Sequence, residues 1–147
     1  MDTRLTQALY KLAMDHACMI HYKTVDVSPE SFQTLKASTL ETLPILGKYS
    51  ENSIYGLPEG NVAFRAWHDT IHLALNADFS FAEQAGEYRV AIEQCRQASL
   101  YSATLADVLW ADTYGQGQHM IKHGAFPVNQ LGFVEYYLKN HNADIQF

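Results

Sequence analysis

Residues 63–75, AFRAWHDTIHLAL, space their apolar side chains at helical intervals and carry His68, Asp69 and His72 on the same stretch. On a helix, two imidazoles four residues apart stand one above the other, close enough to grip a single metal ion. A second helical segment, FAEQAGEYRVAIEQC, follows within a few residues and bears Glu83 and Glu87 one turn apart. A short connection makes two helices antiparallel neighbours, so a carboxylate of the second can complete what the histidines of the first begin.

The 147 residues, 48% of them hydrophobic, suffice for one ordinary core and are too few for two comfortable domains, so a single domain over 1–147 is expected. A net charge of −6 with only ten Lys plus Arg argues against nucleic-acid binding, which needs a basic face to displace counterions. No apolar run approaches the length of a membrane span, and the opening MDTRLTQALYK lacks the apolar core of a secretory signal, so a cytoplasmic protein is expected. Cys18 and Cys95 lie in helical patterns without metal-ligand spacing and read as two buried, reduced thiols.

Residues 4–22 read as a first amphipathic helix through Leu5, Leu9, Leu12, Ala13, Cys18 and Ile20. Ser28-Pro29-Glu30 is a helix-start signal for a second helix to about Leu43, which Pro44 ends. Residues 44–60, with Gly47, Gly56, Pro58 and Gly60, form the longest irregular stretch, a candidate lid or packing loop. Asn61 then caps the His68 helix, Ala77-Asp78-Phe79 turns the chain, and Ser80 with Glu83 has capping-box spacing for the fourth helix. A further helical pattern after Ser99 runs toward Gly115 and Gly117, which are expected to kink or break it. Gly124 and Pro127 stop the next segment, and Asn129 begins a last helix to Leu138. No segment shows convincing strand alternation, so the expected fold is an all-α, compact bundle of five to seven helices.

Imidazole and carboxylate together suit zinc first, with iron(II) or manganese as alternatives, and no thiolate is needed. Glu87 is preferred over Glu83 as the carboxylate, because Glu83 is already engaged if it closes the capping box and Gly86 permits close approach beside Glu87. Arg65 offers a competing account of Asp69, as a helical salt bridge four residues apart. Asp112, Gln116, His119 and His123 line one helix face if the glycines do not break it. That stripe is either the wet side of an amphipathic helix or a source of proton-transfer groups, for which Asp112 and His119 are the candidates. The tyrosines, including Tyr101, Tyr114, Tyr136 and Tyr137, read as core and rim residues.

Arg65, His68-Asp69-x-x-His72 and Gly86-Glu87 together resemble the signature region of the coenzyme Q biosynthesis protein 4 family. The resemblance implies an all-α fold, a metal held by His68, Asp69, His72 and Glu87, and a lipid-tailed aromatic substrate. At the family's spacing this chain has Gln84, three residues before Glu87. A second arrangement with the right residue order is that of the HD-domain phosphohydrolases, for which His16 or His21, His68-Asp69, and Asp107 or Asp112 would bind a metal. His72, which that arrangement does not require, and the shortage of basic residues count against it. The expectation from a different class is a non-catalytic interaction or inhibitor protein with a structural site. A small-molecule or lipid-like substrate goes with the enzyme reading, and self-assembly is left open by the sequence.

Overall fold

The computed structural model describes residues 1–38, 42–145 and 147. Helix α1, Thr3–Ala17, opens on Asp2, whose side chain accepts from the Arg4 N–H at 2.9 Å, and buries Leu9, Leu12, Ala13 and Ala17. It stops five residues short of the expected end. Tyr22–Val25 instead forms strand β1, which pairs in parallel with β2, Leu43–Leu46, in the register Tyr22↔Leu43. Strands of four residues are too short to display alternation, yet β2 does alternate, with Leu43 and Ile45 buried. A minimal two-stranded sheet is thus added to an otherwise helical fold.

Helix α2 is confined to Phe32–Ser38, and its start is held by Ser31 rather than Ser28: the Ser31 Oγ accepts from the Thr34 N–H at 3.2 Å. The expected continuation to Leu43 crosses residues 39–41, outside the described residues. Helix α3, Pro58–Leu75, begins with proline in its first turn, three residues before the expected Asn61 cap. Asn61 is consequently a buried residue inside the helix.

Helix α4, Gly86–Ser99, begins five residues later than the Ser80 capping box predicted. Ser80 is used differently: its hydroxyl accepts from the Ala82 N–H at 3.3 Å and its carbonyl from the Glu87 N–H at 3.0 Å. Glu83 stays exposed in the intervening loop, and Glu87 lies in the first turn of α4 rather than a turn inside it. Gly86 is required where it stands. A Cβ there would lie 1.9 Å from the Asp78 carbonyl oxygen, so the loop can fold back onto the start of α4 only over a glycine.

Helix α5, Ala103–Trp110, is capped by Ser102 and continues without interruption through a π-helical turn, Ala111–Gly115, into α6, Gln116–His123. The expected break at the glycines is therefore a widening of the helix. Gly115 serves packing, since a Cβ there would meet the Tyr137 ring at 3.0 Å. Gly124 ends α6 with φ at 72°, and α7, Gln130–Asn140, starts from Asn129, which accepts from the Gly132 N–H at 2.9 Å. Counting α5, the π turn and α6 as one rod, the described residues form six helices, within the expected five to seven.

Two cores hold these elements. The larger joins α1, α3, α4, α5 and α7 through residues such as Leu9, Leu12, Trp67, Ile71, Val90, Leu109 and Phe133. The smaller gathers Phe32, Leu35, Leu43, Ile45, Val62 and Ala66 between α2, β2 and α3. Arg65 ties the 46–50 segment to α3, its guanidinium donating to the carbonyls of Leu46, Lys48 and Tyr49 and to Ser50 Oγ. The expected Arg65–Asp69 bridge is not among the ion pairs of the described residues, because that guanidinium already faces four acceptors. The cysteines are both free; Cys95 is partly buried, whereas Cys18, past the end of α1, is exposed rather than buried. Gly86→Ala should cost about 1–3 kcal/mol or more by overpacking against Asp78, measured by urea unfolding. Gly117→Ala, whose Cβ would meet Phe81 at an ordinary 3.4 Å, should be neutral or stabilise by about 0.5–1 kcal/mol.

Candidate metal centre

His68 and His72 rise from one face of α3, and Glu87 reaches them from the first turn of α4, which packs against α3. One donor atom from each of the three lies within 4.8 Å of the others, an arrangement that can hold a metal ion. The His68 and His72 Nε2 atoms are 3.3 Å apart, His68 Nε2 is 3.0 Å from Glu87 Oε2, and His72 Nε2 is 3.1 Å from Glu87 Oε1. Ligands about 2.05 Å from a metal stand about 2.9 Å apart in octahedral and about 3.4 Å apart in tetrahedral geometry. Each of the three observed distances falls within that range, the two to Glu87 being made by its two different oxygens.

The two imidazoles are also oriented for ligation. His72 Nδ1 faces the carbonyl oxygen of Ala77 at 2.9 Å, an acceptor only, so Nδ1 carries the proton and a neutral His72 presents a bare Nε2. Ala77 is placed by the C-terminus of α3, where Asn76 adopts φ 49° and the Ala77 N–H bonds back to the His72 carbonyl at 3.0 Å. His68 Nδ1 donates to Gln94 Oε1 at 2.6 Å. Around the rings stand Phe79 and Phe32 beside His72, and Phe64 beside His68. His72 is wholly buried; His68 and Glu87 are partly so and lead to the surface.

Without a metal these groups are poorly matched. His68 can donate Nε2–H to Glu87 only as an imidazolium, and the bare Nε2 of a neutral His72 then faces Glu87 Oε1 lone pair to lone pair. A cation among the three would remove that mismatch. Burial pushes the His68 ring toward neutrality, but the Glu87 carboxylate outweighs it and raises the ring to about 9. Burial likewise opposes ionisation of Glu87, and its partners, His68 foremost, overcome it, lowering the carboxyl to about 2.

Asp69 is not among the converging donors of the centre. It is half-buried, and desolvation raises its carboxyl to about 6 against the pull of His68 and His72. Asp112 lies in the π turn, buried, accepting from Gln116 Nε2 at 2.7 Å and from the Tyr55 hydroxyl at 3.2 Å. Burial raises it also to about 6, and it feels the His68 charge. His119 is buried with its Nδ1 donating to the Ala125 carbonyl at 2.7 Å, beside His123 and Phe133, none of them partners of the centre. The stripe from Asp112 to His119 is therefore an interior seam rather than a wet face. Of the groups needed for a phosphohydrolase arrangement, His16 stacks on Trp67 at 4.0 Å, and His21 and Asp107 are exposed.

Two contributors escaped the sequence. Gln94 stands seven residues after Glu87, two turns along the same face of α4, a spacing that could have found it. The Ala77 carbonyl is a backbone group with no sequence signal. Comparison with protein-family models, with curated proteins and with solved structures gives no match.

The metal-free ion pair makes stability depend on pH in a defined sense. His68, raised from 6.5 to about 9, stabilises the fold fully below pH 6.5 and loses that effect as pH rises through 9. Glu87, lowered from 4.5 to about 2, stabilises above pH 4.5 and loses that effect as pH falls through 2. The Tm difference between the chelated wild type and His68→Asn should be largest between pH 4.5 and 6.5 and vanish above pH 9. A gap that is flat from pH 6 to 10 would contradict the pairing.

Proposed function

We propose that this chain is a small helical metalloprotein that holds one divalent ion through His68 Nε2, His72 Nε2 and the Glu87 carboxylate. The observation that carries it is the convergence of three donors on one point, with both imidazole tautomers held by acceptors behind them. Two histidines and one carboxylate leave coordination positions open, the donor set of catalytic zinc and of iron(II) sites. When bound, such an ion supplies an acidified water or a polarised substrate oxygen. The Ala77 carbonyl and Gln94 aim the rings, Phe79 and Phe32 keep water from His72, and Glu87 and His68 lead outward. Of the two groups considered for proton transfer, Asp112 is better placed than His119, since it responds to the His68 charge and holds its proton up to about pH 6.

The resemblance to the coenzyme Q biosynthesis protein 4 family supports a second, narrower reading, because His68 and His72 of the shared motif meet Glu87, three residues beyond the family's spacing. On that reading the ligand is a prenylated aromatic compound, and a lack of saturable binding of such a compound would remove it. Among the described residues no helix is long and apolar enough to cross a membrane.

Mass spectrometry of tag-free protein after reconstitution should find about one zinc, iron or manganese ion per chain, and none in His68→Ala/His72→Ala. Metal-free wild type beside a folded double mutant would refute the proposal. Gln94→Leu should keep the site but lower metal affinity roughly 10–100-fold, through loss of the His68 orienting bond. Because the ion must displace a proton from His68, affinity should also fall as pH drops below 9.

A further inference from the structure

Glu87 also lines a cleft of about 100 Å³ between the 81–84 loop, the first turn of α4, the π turn and α6. Three aromatic rings line this cleft, Phe81, Tyr88 and Tyr114, together with a second carboxylate, Glu83. Among the described residues no lysine, arginine or histidine lines it. Tyr88 and Tyr114 meet at an interplanar angle of 66° with centroids 5.7 Å apart, like two adjoining walls of a box. Trp110 stacks on Tyr114 at 4.4 Å, and Phe126 packs against Phe81 at 5.5 Å, so two of the three rings are braced from neighbouring positions.

Aromatic walls with a carboxylate beside them attract organic cations, through the negative faces of the rings and direct charge attraction. Glu83 is that carboxylate, Glu87 being engaged by the metal. The cleft has room for a small headgroup such as a methylated ammonium.

We propose that this cleft binds a small organic cation, an amine or methylated ammonium group, beside the metal. The inference names the ligand class of the centre proposed above and rests on that reading. Gln84, held at φ 59° in the loop, also lines the cleft and marks its rim.

The test is isothermal titration calorimetry of zinc-reconstituted full-length protein whose metal content has been measured on the same sample. The probes are tetramethylammonium chloride, the neutral isostere tert-butyl alcohol, phenol and sodium acetate. Saturable binding of tetramethylammonium at least about tenfold tighter than of the isostere, with no acetate binding, is expected. Glu83→Gln, a change on an exposed loop that leaves the fold alone, should weaken it about threefold to fivefold, and Tyr88→Leu should abolish it. If the protein is metal-loaded but prefers phenol or tert-butyl alcohol, or if Glu83→Gln has no effect, the ligand class is overturned and the metal centre stands. A sample that retains no metal overturns both.

Discussion

Helix α3 buries apolar side chains in two directions at once: Ala63, Trp67 and Ile71 enter the larger core with α1, while Val62 and Ala66 enter the smaller one with α2 and β2. Those two commitments set the rotation of the helix about its axis. The strip through His68 and His72 is then the part left to meet α4, and it cannot turn elsewhere without exposing one of the cores. Arg65 adds a polar tether from the same helix to the 46–50 segment, so the irregular chain between β2 and α3 is held to the element that carries the histidines.

Burying two imidazoles and a carboxylate between helices is unfavourable unless their charges and lone pairs are matched. The fold matches most of them with unremarkable parts: a carbonyl released at a helix C-terminus, an amide two turns along α4, and aromatic rings that exclude water. What stays unmatched is concentrated in the small space between Nε2, Nε2 and the carboxylate. The same carboxylate also lines a cleft with Glu83, Phe81, Tyr88 and Tyr114.

Much of the site was legible because helical spacing is a local property. His68 and His72 share a face whatever else the chain does, and Asn129 and Gly124 act as helix boundaries through bonds to residues three and four positions away. Ser80 and Glu83 show the limit of such signals. Their spacing fits a capping box, but Gly86 allows the chain to fold against Asp78, and α4 starts beyond both. Asp69 shows another limit, since adjacency in sequence to His68 puts it about 100° away around the helix and outside the converging set.

The sequence by itself determined a helical chain and the pairing of His68 with His72, since both depend on periodicity; a short connection brought Glu83 and Glu87 within reach, and the preference for Glu87 rested on a Ser80–Glu83 capping box that the fold does not form. Tertiary structure alone decided the parallel pairing of Tyr22–Val25 with Leu43–Leu46, the conversion of the 111–115 stretch into a π turn, the burial of Asp112 and His119, and the aim of the two imidazoles. These rest on contacts between residues distant in sequence, or on a backbone carbonyl whose direction no side chain announces.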